Sequence, residues 1–353
     1  MIAHAAAVGP LIFVLGVWVQ PAETMDVWKA RGVNTLVEAP EGHDVSQWAK
    51  AADRKGLFQI RKPTANLRLD IDDPHLLAWS TKDEPSNNSV MLDYGFVTQD
   101  PAKVQQQAAP WRAAAKAQGR FVPIWTNHVG PHIYPDWARN NALMRDYMEG
   151  PKSDWLSADA YPIQDHKPFV IQSNDGYTST TQGVILDRQI AWSGGKPVMT
   201  FIATSAFSGG SPLPTTAQFN AMAWSSVIHG AVGIIYFPVR LAPWTFDATP
   251  TYLAKAITAF DREISSLGKV LINPVSGGRR PYTVFRAANQ GAAPKALQLP
   301  YPFEACEIAT KQGPFRIVLN LSDKDQVLDK PEWGLNHAIF HAFDVRRGYQ
   351  LNP

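Results

Sequence analysis

Phe13-Val14-Leu15-Gly16-Val17-Trp18-Val19, an amphipathic stretch over 23–31 closed by Gly32, then Val33-Asn34-Thr35-Leu36-Val37-Glu38: this opening decides how the chain is read. An apolar run of strand length leads into a stretch of helix length. A glycine stands where the helix should stop, and a second apolar run follows, which together make a βα unit and the start of the next. The pattern recurs. A helix over 44–55 stops at Gly56, and 57–60 reads as a third strand. Leu76-Leu77-Ala78-Trp79-Ser80 is the fourth, and a helix over 101–118 closes at Gly119. Strands five to eight read as 121–125, 155–159, 197–202 and 232–237, with helices over 216–229 and 252–267 after the last two. Eight such units in about 260 residues match the size of a (β/α)8 barrel. After Gly268 the texture changes to Gly277-Gly278, scattered prolines and alternating runs such as Tyr282-Thr283-Val284-Phe285 and Phe315-Arg316-Ile317-Val318-Leu319. The expected fold is α/β, a TIM barrel over 1–268 with a small antiparallel, β-sandwich-like domain over 269–353.

Composition narrows the function. At 353 residues, 45% hydrophobic and 18% charged, the chain can bury a large core. A net charge of +2, from 33 basic and 31 acidic residues, gives no electrostatic case for nucleic acid. The single cysteine, Cys306, excludes an internal disulfide framework and a Cys-based zinc site, and reads as an inert buried thiol. Twelve Trp suggest stacking surfaces for a flat, uncharged ligand. No stretch reaches the roughly 18–20 apolar residues of a membrane span, so no membrane partner is expected. The apolar start, Met1 to Val19, lacks a basic n-region, but Ala3-His4-Ala5 is similar to the small-x-small end of a signal peptide. A periplasmic or secreted location is the expectation, with the cytoplasm as the alternative.

In a barrel of this kind the site lies at the C-terminal strand ends. Those ends carry Trp18 and Gln20, Glu38 and Glu41, Arg61 and Lys62, then Asp83-Glu84-Pro85. Beyond them come Trp125, Asn127 and His128, Asp159 and Tyr161, Thr200 and Thr204, and Tyr236 and Arg240. Carboxylates, aromatics and amides in one ring are what a sugar site requires. Trp18, Glu38, Asp83, Trp125, Asn127, His128, Tyr161 and Tyr236 are the expected substrate-binding residues. Trp79 reads as core, because alternation puts it opposite Ala78 and Ser80. Blander roles compete: Glu84 in a salt bridge with Lys82 or Arg61, Asp159 as a hydrogen-bonded strand end, Glu38 holding a hydroxyl or Arg61. His128 and His132 have the spacing of a metal pair on a helix, but Gly130 and Pro131 lie between them. No metal and no cofactor are expected. The stretch 205–211 lacks the ending of a phosphate loop and reads as a flexible loop over the site.

Trp79-Ser80-Thr81-Lys82-Asp83-Glu84-Pro85 is the most specific element. Glu84 ends an apolar strand, and Pro85 should hold its backbone extended. A carboxyl pushed into a walled pocket has its pKa raised, which suits a general acid. This motif resembles the acid/base segment of the large (β/α)8 glycoside hydrolase clan, where Asn-Glu-Pro is commoner and Asp-Glu-Pro is similar to bacterial glycosyl hydrolases. His229-Gly230-Ala231-Val232-Gly233-Ile234-Ile235-Tyr236-Phe237 and Ala158-Asp159-Ala160-Tyr161-Pro162 are similar to the clan's strand-8 and strand-6 segments.

The resemblance implies a glycoside hydrolase acting on a polysaccharide or oligosaccharide, with Glu84 as general acid. It also implies a nucleophilic Glu at the end of strand seven. Here that segment reads Thr200-Phe201-Ile202-Ala203-Thr204-Ser205-Ala206-Phe207, with no carboxylate. Asp159 is the first candidate for the second catalytic group, Glu38 the second and Asp247 the third. Strands four and six are not neighbours, so a wide pair and an inverting mechanism are expected, at about 6.5–9.5 Å rather than about 5 Å. A transglycosylase would use the same chemistry. The missing carboxylate motivates an alternative, a non-catalytic carbohydrate-binding barrel. A metal-dependent hydrolase would need a His cluster that the sequence does not supply.

Overall fold

The computed structural model describes residues 9–85, 100–134 and 141–351. Its elements run β1 (Val14–Trp18), α1 (Met25–Arg31), β2 (Thr35–Val37), α2 (Val45–Arg54), β3 (Phe58–Arg61), α3 (Leu67–Asp72) and β4 (Leu76–Ser80). Then come α4 (Pro101–Ala117), β5 (Ile124–Val129), α5 (Asn141–Met148), β6 (Trp155–Asp159), β7 (Val170–Gln172), β8 (Tyr177–Thr180), α6 (Thr181–Ser193) and β9 (Val198–Ala203). The barrel part ends with α7 (Thr216–Ile228), β10 (Gly233–Phe237), β11 (Arg240–Leu241), β12 (Trp244–Thr245) and α8 (Thr251–Leu271). Eight parallel strands close in the order β1-β10-β9-β6-β5-β4-β3-β2, as the expected TIM barrel requires. β9 and β10 are its seventh and eighth strands. Gly32 ends α1 in the left-handed region at φ 110°. Gly233 allows β10 to approach β1, because an added Cβ would lie 2.5 Å from Val14 Cβ.

Alternation along the strands sorts the side chains. Trp79 packs outward against Trp111 of α4, ring centroids 6.3 Å apart, as the sequence pattern suggested. Trp125 and Trp155, by contrast, join the cluster that fills the barrel. The same inward face of β5 and β6 continues upward as Asn127, Ser157 and Asp159, so core becomes site within two residues. The fifth strand lies three residues later than expected. Phe121 is exposed and Pro123 precedes the ladder, whereas Thr126 stays in the strand because its hydroxyl bonds Thr81 Oγ1 at 2.9 Å and Ser153 Oγ at 2.6 Å.

Beyond α8 come β13 (Tyr282–Ala288), β14 (Gln298–Leu299), β15 (Phe303–Thr310), β16 (Gly313–Asn320), β17 (Gln326–Lys330), β18 (Leu335–Phe340) and β19 (Val345–Gly348). One sheet runs β19-β16-β15-β13-β8-β7, with β14 beside β13, and β17 pairs with β18. This is the expected C-terminal antiparallel β-domain, with one addition. The β7–β8 hairpin leaves the barrel between β6 and α6 and completes the sheet through Ala287↔Thr178 and Ala288↔Tyr177. Beneath that junction His229 is fully buried, its Nδ1 3.0 Å from Asp187 and its Nε2 3.1 Å from Glu304. Among the described residues, no helix is long and apolar enough to cross a membrane.

Candidate active site

Two of the acidic strand ends share an unusual backbone. Glu38, just past β2, has φ 63°, and Glu84, past β4, has φ 44°. The left-handed region costs a residue with a side chain about 1–3 kcal/mol, and such residues gather at functional sites. Glu84 is therefore not extended, as its proline neighbour suggested. The turn is held from outside, where Tyr147 Oη of α5 donates to the Pro85 carbonyl at 2.9 Å.

The turn directs Glu84 at Asp159. Burial raises the Asp159 carboxyl well above the usual carboxylate range, the charges of Glu84 and Asp83 raise it further, and a hydrogen bond to Glu84 favours its protonated form. Asp159 and Glu84 are thus hydrogen-bonded, with the Asp159 carboxyl pushed toward its protonated form. The two carboxyls touch, so the wide, water-holding separation expected for strands four and six is not what the structure shows. Asp83 is also raised by burial, opposed by Asn127 and Lys62. Asn127 organises the group: its Nδ2 donates to Asp83 Oδ1 at 3.0 Å and its Oδ1 accepts from Ser157 Oγ at 2.7 Å. Its hydrogen bond to Asp159 opposes the upward shift there.

Glu38 closes the ring beside Ser80. Burial pushes its carboxyl up to about 7, against the lowering effects of Ser80 and Lys62. Its Oε1 is buried without a hydrogen-bond partner. Aromatic rings form the remaining wall. Trp18, half-buried, stacks on Phe237 at 5.0 Å, and Tyr161 meets Phe207 at 5.1 Å and Phe237 at 5.3 Å. The Tyr161 hydroxyl faces Asp159, and burial followed by that charge keeps the phenol un-ionised.

The structure thus brings together Trp18, Glu38, Asp83, Glu84, Asn127, Asp159 and Tyr161. Three expected ligands are elsewhere. Trp125 is 1% exposed inside the barrel and offers no face to a sugar. His128, the next residue but two of the same strand, points outward onto α5 with its ring 5.8 Å from Tyr147. Tyr236 also points outward, donating its hydroxyl to Asp261 and stacking near Trp28. Asp247 is committed to Arg31 at 2.9 Å. Arg61 is held by Asp70 at 3.0 Å and Asp73 at 3.3 Å, so it fixes neither Glu84 nor Glu38. At the end of β9, Ser205 Oγ donates to the Val239 carbonyl at 2.7 Å and Thr204 bonds Thr249, so neither supplies an acid. The loop after it is tied down, Phe207 O accepting from Leu241 N at 2.8 Å. Ser157, Phe207 and Phe237 were not foreseen, although alternation back from Asp159 would have marked Ser157.

With this geometry in view, similarity to known proteins is a matter of fold. No family model matches the sequence, and no curated protein does. The structure of AmyP in complex with maltose is 8% identical, over 92% of this chain and 88% of that one, with a TM-score of 0.50. AbfB, a family 51 α-L-arabinofuranosidase from Bifidobacterium longum, is 9% identical over 91% and 84%, with a TM-score of 0.47. Xyn30A, a glycoside hydrolase family 30 subfamily 8 xylanase from Clostridium acetobutylicum, is 13% identical over 98% and 96%, with a TM-score of 0.45. The protein is a (β/α)8 barrel with a C-terminal antiparallel β-domain.

Proposed function

We propose that the protein hydrolyses glycosidic bonds, with Glu84 as acid/base and Asp159 as nucleophile. The observation that carries this reading is the hydrogen-bonded Glu84–Asp159 carboxyl pair at the C-terminal strand ends, with Asp159 raised by burial and by Glu84. Their contact is nearer the roughly 5 Å of a retaining pair than the roughly 6.5–9.5 Å of an inverting one. Substrate entering between them moves the proton along the existing bond to Glu84. Glu84 then protonates the departing oxygen while ionised Asp159 forms a bond to the anomeric carbon. Water, losing its proton to Glu84, displaces Asp159 and returns the pair to one proton. Trp18 and Tyr161 would lie along the sugar ring, and Asn127 holds Asp83 and Asp159 in place.

The test is turnover on a panel of oligosaccharides, with the first-formed anomer read by NMR. Retained configuration is expected, and E84Q and D159N should each lower kcat by about 10²–10⁴-fold. An aryl glycoside whose leaving group needs no proton should recover E84Q and not D159N. Inverted product would overturn the covalent route, and unchanged turnover in E84Q would remove that residue. Sugar binding without turnover in the wild type would favour the carbohydrate-binding barrel instead.

A further inference from the structure

The mouth is unusually one-sided in its chemistry. Among the described residues Glu38, Asp83, Glu84 and Asp159 converge there, and the field of the exposed Lys62 lowers both Glu38 and Asp83. A sugar hydroxyl is donor and acceptor together, whereas an ammonium group is three donors and no acceptor. Carboxyl oxygens supply the acceptors an ammonium needs, and Glu38 Oε1 is among those without a hydrogen-bond partner. Glu38 is 7% exposed, is held in a left-handed turn by its backbone N–H bond to Ile60 O at 2.8 Å, and has Oε1 unpartnered.

An aromatic residue occupies the neighbouring strand end. Trp18 and Val37 are partners in the β1–β2 ladder, so Glu38 follows one residue beyond the Trp18 rung. Carboxylate with indole is a combination that favours a cation. A single metal ion fits the spacing poorly. Among the described residues, the one group of three with ligand atoms within 4.8 Å of one another is Asp53, Asp73 and His75. That group precedes β3 and β4, on the opposite face of the barrel, and the mouth carboxyls are spread more widely.

We propose, resting on the sugar-site reading above, that the substrate is an amino sugar with a free amine, its ammonium held between Glu38 and Asp83 against Trp18. Burial raises the Glu38 carboxyl to about 7, so an ammonium bound beside it releases that proton to the solvent below about pH 7.

The experiment titrates the wild-type protein with glucosamine and galactosamine, their N-acetyl forms, and glucose and galactose, at about pH 6 where a free amine is charged. Calorimetry in two buffers of different ionisation enthalpy counts protons. At least one free amine should bind about tenfold or more tighter than its N-acetyl and neutral counterparts, with net proton release. In E38Q that preference should shrink to within about threefold. Equal affinity for amine and neutral sugar, or a preference that survives in E38Q, overturns the proposal. The wild-type comparison decides even if E38Q does not fold. Binding and cleavage confined to neutral sugars defeats this inference alone. Amine binding without cleavage of any amino-sugar glycoside defeats the hydrolase reading alone, and no binding at all defeats both.

Discussion

Glu38 combines a costly backbone with a costly burial, and the second cost depends on pH. Its carboxyl is raised from 4.5 to about 7 in the folded protein. Across that window the folded chain keeps a proton that the unfolded chain has released, so stability declines as pH rises, by about 3 kcal/mol in all. E38Q removes the titration. It should therefore be more stable than wild type at about pH 8, by up to about 3 kcal/mol, with the difference shrinking at about pH 4. Denaturant unfolding at the two pH values checks this, and a constant difference would contradict it. Asn127 acts on two carboxyls at once, so N127A should push the Asp83 and Asp159 titrations upward and move the acidic limb of the pH–rate profile with them. Glu84 and Asp159 were legible because each ends an apolar run. Trp125 was misjudged because a strand-end aromatic looks the same whether the strand stops there or continues.

That continuation belongs to the element scale. The fifth strand reads as ending at Trp125 because Thr126, Asn127 and His128 are polar, yet each has a place: Thr126 on Thr81 and Ser153, Asn127 on Asp83, His128 against Tyr147. Extending the strand to Val129 assigns alternate faces, which sends Asn127 into the site and His128 away from it. Tyr236 is misplaced for the same reason, since a partner such as Asp261 on α8 is invisible until the helix is packed. α5 also acts on the site from outside the barrel through Tyr147 and the Pro85 carbonyl. Y147F should cost about 1 kcal/mol of stability. By loosening the Glu84 turn it should also lower kcat with little change in KM, whereas equal kcat would show that the turn holds without the hydroxyl.

At the scale of the whole molecule, the barrel and the sheet are joined by a buried charge group. Burial alone would lower His229, but Asp187 and Glu304 raise it to about 10, while His229 and Arg286 bring Asp187 down to about 2 despite its burial. The histidine's contribution is fully present below its ordinary value of 6.5 and is lost as pH rises through about 10. The aspartate's is present above 3.8 and is lost as pH drops towards about 2. H229Q leaves the buried Glu304 without its cation, while Asp187 keeps Arg286 at 2.9 Å, and should cost about 3 kcal/mol near neutral pH, with a smaller deficit above about pH 10. Unfolding free energies across that range test it. The hairpin over 170–180 is hard to read in sequence because the strand it pairs with, β13, lies far along the chain. Cutting the gene after α8 would thus remove the strand that β8 leans on, together with Arg286 and Glu304, and expose an imidazolium to an unfilled seam. The tail cannot be swapped like a bead on a string: a shortened chain should come out of cells as aggregate, and any exchange of modules has to carry the β7–β8 hairpin along.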